Sequence, residues 1–309
     1  MKFTYIADTH LKGINPINRK GDYYSDVMDK IKEVISISKK EKVEFIIHSG
    51  DLYDTPIVSN QMVDELIDLI EKSKIIWYIL PGNHDEIGHN WELSKGSSLA
   101  HIFNRSDYIK ELTVIKDIDV IIKGFKYYHN IEQDLKEKGL MSDDNRENKV
   151  KIAIIHALIT QKPLPDKVMH IPLKTLKTDF DYVFYGHNHI QHPTIEHKGV
   201  KFVNVGCLGR TSIDEAEIVP TVAIYDSKTD KLSYIPLKCA KLGKDVFDLE
   251  KAAELKSFDN EINKFIATLD TEKIKDLDIM GVIEYLSKEQ NLEEIVKQEI
   301  IKRIGVKNV

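Results

Sequence analysis

The stretch PGNHD at residues 81–85 follows the apolar run IIWYIL at residues 75–80, which reads as a buried strand. Pro and Gly make the bend after that strand cheap, because Pro fixes its own φ and Gly carries no side-chain penalty. The turn is thereby explained, and the Asn, His and Asp that follow are not. Other apolar runs end the same way. Residues 2–7 lead into Asp8-Thr9-His10, residues 43–48 into Gly50-Asp51, residues 151–155 into His156, and residues 182–185 into Gly186-His187-Asn188-His189. Each stretch alone has a bland explanation: a helix cap, a turn Asp, a satisfied histidine. Five at equivalent positions have none. In open α/β sheets ligands bind at the carboxyl ends of the strands, so the five stretches are expected to converge.

The segments between these strands support that fold. Residues 22–40 place Val27, Ile31, Val34 and Ser38 on one helical face. Residues 59–72 do the same with Met62, Val63, Leu66, Ile67 and Ile70, and Ser59 is a suitable N-cap. Strand–helix–strand–helix–strand order implies parallel strands covered by helices. The second half is richer in strands, at 112–116, 120–124, 194–197, 201–205, 222–225 and 232–237, with one helix at 131–138. The expected architecture is an α/β four-layer sandwich, two mixed sheets face to face with helices outside, over residues 1–242. From residue 243 the pattern turns helical, with Leu255, Phe258, Ile262, Phe265 and Leu269 at spacings of three and four. Residues 243–309 are expected to form a small helical appendage, either closing an edge or docking a partner.

At 309 residues, 42% hydrophobic and 30% charged, the chain has the composition of a globular protein. Its apolar runs fall far short of the ~20 residues needed to cross a bilayer, and no signal-peptide pattern opens it. Two cysteines make neither a disulfide framework nor a zinc pair, so a cytoplasmic setting is expected. Of the net charge of −6, the part from residue 245 onward carries 15 acidic and 10 basic residues, leaving 35 acids against 34 bases before it. Nucleic-acid binders usually carry a basic surplus; composition supplies none, although bound cations would add positive charge.

The strand ends assemble Asp8, His10, Asp51, Asn83, His156, His187 and His189, oxygen and imidazole donors without a thiolate. That set disfavours a structural zinc site and suits Mn, Fe or Zn with open coordination positions. Seven donors exceed the need of one ion and suffice for two if a carboxylate bridges. Asp51, central and flanked by glycine, is the candidate bridge. Paired ions form the clamp used for displacement at phosphorus. His84, beside Asn83, is left as the proton donor to the leaving oxygen, with Asp85 expected to orient its ring and hold it protonated.

DTH, GDLYDT, PGNHD, IIHA and YGHNH together resemble the calcineurin-like metallophosphoesterases over residues 1–240. The resemblance implies a dinuclear site, with Asp8, His10, Asp51 and His189 on one ion and Asp51, Asn83, His156 and His187 on the other. Manganese is the first choice, with iron, magnesium or zinc as alternatives. Within that superfamily the chain looks most like the SbcD/Mre DNA-repair nucleases, on DTHL, Arg19, GDLYDTPIVS, GFKYY and VNVGCLGRTS. Position 54 is Asp, as in the bacterial members, where archaeal and eukaryotic ones usually place His. The resemblance implies DNA as substrate, an SMC-like ATPase partner of the SbcC type, and a homodimer. Two other readings stand beside it: a stand-alone phosphodiesterase for nucleotides or small phosphoesters, and a non-catalytic binding subunit.

Overall fold

The structure, a computed structural model, describes residues 1–143, 149–165 and 167–251. In chain order it runs β1 (Lys2–Ile6), α1 (Tyr23–Lys40), β2 (Phe45–His48), α2 (Asn60–Ser73), β3 (Ile76–Ile79), α3 (Ser98–Arg105), β4 (Ile109–Glu111), β5 (Val114–Lys116), β6 (Val120–Phe125), α4 (Ile131–Lys138) and β7 (Val150–His156). A short pair, β8 (Ile159–Thr160) and β9 (Ile171–Pro172), precedes β10 (Tyr182–Gly186), β11 (His192–His197), β12 (Val200–Asn204), β13 (Thr221–Asp226) and β14 (Lys231–Pro236).

Two six-stranded sheets result, ordered β14-β13-β1-β2-β3-β4 and β11-β12-β10-β7-β6-β5. Strands β1 to β4 are parallel in the first, as are β12, β10, β7 and β6 in the second, and antiparallel hairpins complete both. This is the two-sheet sandwich that the sequence predicts. Alternation along β1 shows how it is held: Phe3, Tyr5 and Ala7 enter a core between the sheets with Phe45, Ile47, Ile154, Phe184 and Tyr225. Ile6 faces outward under α1, α2 and α3, with Val27, Ile31, Leu66 and Trp77. Both faces are covered, so the strands read as unbroken apolar runs. Helix α4 covers the outer face of the second sheet through Ile131 and Leu135 against Ile155, Val183 and Phe202.

Local chemistry sets the helix ends. Asp22 caps α1 by accepting from the Ser25 amide, and Ser59 caps α2 by accepting from Met62. Helix α3 and strand β4 are not among the elements expected from the sequence, because both are too short to show a period, although Ser97 caps α3 in the ordinary way. One compact unit runs from Met1 to Phe247, where Phe247 packs under the Arg19 guanidinium. The helical patterns expected around residues 255–300 lie outside the described residues. Among the described residues, no helix is long and apolar enough to cross a membrane.

Candidate metal centre

The carboxyl ends of β1, β2, β3, β7 and β10 converge. Ligand atoms of Asp8, His10 and His189 lie within 4.8 Å of one another, as do those of Asp51, His156 and His187, and those of His10, Asp51 and His84. Asn83 joins them, its Oδ1 3.0 Å from His156 Nε2, which is also 3.3 Å from Asp51 Oδ2. All seven donors named from the sequence are therefore brought together, with Asp51 between the two groups.

The backbone is bent to achieve this. Asp8, His10, Asp51 and His187 all adopt left-handed φ, at 50°, 46°, 56° and 76°. Such conformations cost about 1–3 kcal/mol each outside glycine and persist where the surroundings over-determine them. Close approach needs glycine at two further points. A Cβ on Gly50 would lie 2.2 Å from His156 Nδ1, and one on Gly82 would lie 2.2 Å from Asp51 Oδ1.

Two of the rings are fixed through one nitrogen. His156 Nδ1 donates to the Ser49 carbonyl at 2.7 Å, and His189 Nδ1 donates to Glu215 Oε1 at 2.5 Å. Both Nε2 atoms are thereby turned to the centre, where each can give its lone pair to a cation once its proton is lost, the arrangement found around metal-bound imidazole. His10 Nε2 and His189 Nε2 face each other at 3.0 Å. Two lone pairs so placed repel unless a proton or a cation lies between them. Asp8 and Asp51 are both fully buried, and burial of like charges is costly without cations. The donor set fits two divalent cations, and the centre is a binuclear metal site.

The electrostatics point the same way. Burial pushes the Asp8 carboxyl up, against the pull of His189 and His156. Burial would also raise Asp51, but His156, His10 and His84 hold it below the carboxylate range. Against burial, the Asp51 carboxylate lifts His156 to about 9, and Glu215 with Asp8 lifts His189 to about 9. Burial and the neighbouring His156 lower His187 to about 3.

His84 and Asp85 depart from expectation in one respect. His84 Nδ1 bonds the Asp54 carbonyl at 2.7 Å, and its ring stands edge-on to His10 at 4.8 Å. Asp85 does not orient that ring. Its carboxylate turns back and accepts the amides of Leu52, Tyr53 and Gly82, clamping the GDLY turn against the PGNHD turn. Three backbone donors hold a buried carboxylate better than one exchangeable imidazole proton would, so the backbone wins. The ring orienter is the Asp54 carbonyl.

Three further contributors have no role at the centre that the sequence alone assigns. Glu215 holds His189, and the Ser212-x-x-Glu215 capping box that places it was visible as a pattern. Asp54 also reaches His10 Nδ1 at 3.4 Å and Lys12 at 3.0 Å. The Tyr127 ring lies 6.2 Å from His156 and 6.0 Å from His187. His48, by contrast, is a core histidine bound to Thr9, lowered by burial to about 3.

A family model described as calcineurin-like phosphoesterase matches residues 1–191, and the chain belongs to that family. Among curated proteins it is 26% identical to the DNA double-strand break repair protein Mre11 of Methanococcus maripaludis, over 61% of this chain and 52% of that one. It is 26% identical to the SbcD component of the SbcCD nuclease of Staphylococcus saprophyticus, over 77% of this chain and 69% of that one. The chain thus spans about half the length of the archaeal relative. A dimetal phosphatase from Danio rerio shares the fold, with a TM-score of 0.52 at 12% identity over 78% of this chain and 97% of that one. With this donor set on this fold, the chain is a metal-dependent phosphoester hydrolase.

Proposed function

We propose that this phosphoesterase is a DNA nuclease of the SbcD/Mre type, working with an SMC-like ATPase of the SbcC type, with manganese as the preferred ion. The observation that carries a diester-cleaving role is His84. Its Nδ1 donates to the Asp54 carbonyl, which leaves Nε2 free, and in the imidazolium form that Nε2–H would pass its proton to the departing oxygen. The ions, when bound, neutralise charge on the phosphoryl oxygens and acidify water. Asp8, His10, Asp51 and His189 would hold one, and Asp51, Asn83, His156 and His187 the other.

The protein's own part is orientation. Ser49 and Glu215 fix the tautomers of His156 and His189. Asp85 ties the loop bearing Asp51 to the loop bearing His84, so ligand and proton donor keep one spacing. Proton donation of this kind contributes ~10²–10⁴-fold. The DNA assignment is supported by the repair and nuclease names that the curated relatives carry and by the motifs quoted from the sequence. Residues 243–309 would serve as a reduced cap, an ATPase-docking segment, or both.

A second reading, a stand-alone phosphodiesterase for nucleotides or small phosphoesters, is favoured by the near-neutral charge before residue 245. The test presents single- and double-stranded DNA, cyclic nucleotides and bis-p-nitrophenyl phosphate to the Mn-loaded protein. Cleavage of DNA is expected. Turnover of the small diester with no DNA cleavage would defeat the nuclease reading and favour the second.

A further inference from the structure

Beside the metal centre, on the outer face of the second sheet, lies a cleft of about 490 Å³ that the phosphoester chemistry does not use. Its floor is apolar, made by Leu135 of α4 and by Ile155, the neighbour of His156. Phe125 and Tyr128 bring aromatic rings to it, and Met141 brings a thioether. Tyr128 and Met141 are 43% and 42% exposed, large apolar surfaces uncovered among the described residues. The Tyr128 ring is held in place, because its hydroxyl donates to Asp134 Oδ2 at 2.8 Å.

One residue links the lining of the cleft to the centre along the chain. Tyr127, between Lys126 and Tyr128, sets its ring against His156 and His187 and donates its amide to the Pro81 carbonyl. A strand held at the metal site and running past Tyr127 would come next to the segment that lines the cleft. Charge argues for what enters. Lys126 is offset by Glu111 and Glu92, and Lys138 by Asp134. Among the described residues that line the cleft, no net positive charge remains to attract a phosphate. A flat, neutral heterocycle suits aromatic walls and an apolar floor, and Asp134 can accept from its amino group.

We propose that this cleft is a nucleobase subsite, taking one unstacked base of the strand whose phosphodiester lies at the metal centre. The proposal rests on the nucleic-acid reading above, and it makes single-stranded or frayed DNA the preferred substrate. Base–aromatic stacking tolerates any sequence, because every base presents a π-face.

The test measures steady-state cleavage by the full chain with Mn, using a mixed-sequence single-stranded oligonucleotide, the same oligonucleotide made abasic, and bis-p-nitrophenyl phosphate. Tyr128→Ala is expected to raise KM for the normal oligonucleotide about 5- to 100-fold, the range that one stacked base supplies. Tyr128→Phe should stay near the unaltered protein, and turnover of the small diester should not change. The unaltered protein should show the same KM penalty on the abasic strand, a result that needs no variant to fold. Equal KM values across variants and substrates would overturn the subsite and leave the cleft to a protein surface. Failure of the unaltered protein to cut any oligonucleotide, with the small diester turned over, would instead defeat the nuclease reading and the subsite with it.

Discussion

Strand β10 carries a polar cluster at each end, and the two are built on opposite principles. At its start Tyr182 joins Tyr225 and Lys201 around Asp230, whose carboxylate accepts from all three at 2.8–3.1 Å. Just past its other end His187 joins Asp8 and Asp51, two buried carboxylates, and the imidazole nitrogens of His10 and His189 that face each other. The titration directions differ accordingly. Burial opposes ionisation at Asp230, yet its hydroxyl and ammonium donors bring the carboxyl below its ordinary value. Burial prevails at Asp8 and raises it. One cluster closes upon itself and stabilises the chain. The other is left short of positive charge, and divalent cations supply what it lacks.

Four measurements sharpen or break this contrast. The largest effect is expected from Asp51→Asn, since a neutral amide bridges two cations poorly. Bound metal should be lost by elemental analysis and turnover should fall at least ~10³-fold; two ions retained per chain would end the contrast. His84→Ala should cut turnover ~10²–10⁴-fold with metal content intact, because a proton donor and not a ligand is removed. Loss of metal in that variant would reassign His84 to the ligand set.

Glu215→Gln should weaken Mn binding by about 10–100-fold, the usual effect of losing the carboxylate behind a ligating histidine. A pH series adds the sign. In the metal-free protein His189 sits at about 9, and it must shed its proton to bind, so affinity climbs from pH 7 to 9. With Gln at 215 that climb should shrink; an unchanged slope would mean that Glu215 does not control the ring. The smallest effect belongs to the opposite end. Asp230→Asn should cost no more than about 1 kcal/mol in a denaturant melt and leave metal content and turnover unchanged. An activity loss there would show that the two ends are coupled.

Much of this was legible in the sequence, for a physical reason. Strands buried on both faces must be apolar throughout, so 43–48 and 151–155 announced themselves, and the polar residues that interrupt them marked the strand ends. The sequence predicts a helix at residues 131–138, and α4 spans them. Partners set by tertiary approach were not legible. Asp85 adjoins His84 in sequence, yet its side chain turns to the amides of Leu52 and Tyr53, and no local pattern reports a contact across more than thirty residues. Glu215 lies 26 residues from the histidine it holds. The segment with α3 and β4 carries no legible pattern, because neither element completes enough turns or alternations to rise above its surroundings.

The closeness of Gly50 and Gly82 to the centre has a consequence for how this enzyme can change. Its most vulnerable positions include two that perform no chemistry. A single methyl at either would press on a ligand from behind and disperse the assembly while every donor atom remained in the chain. Variation at this centre is therefore policed by the gaps between its parts as strictly as by the parts themselves.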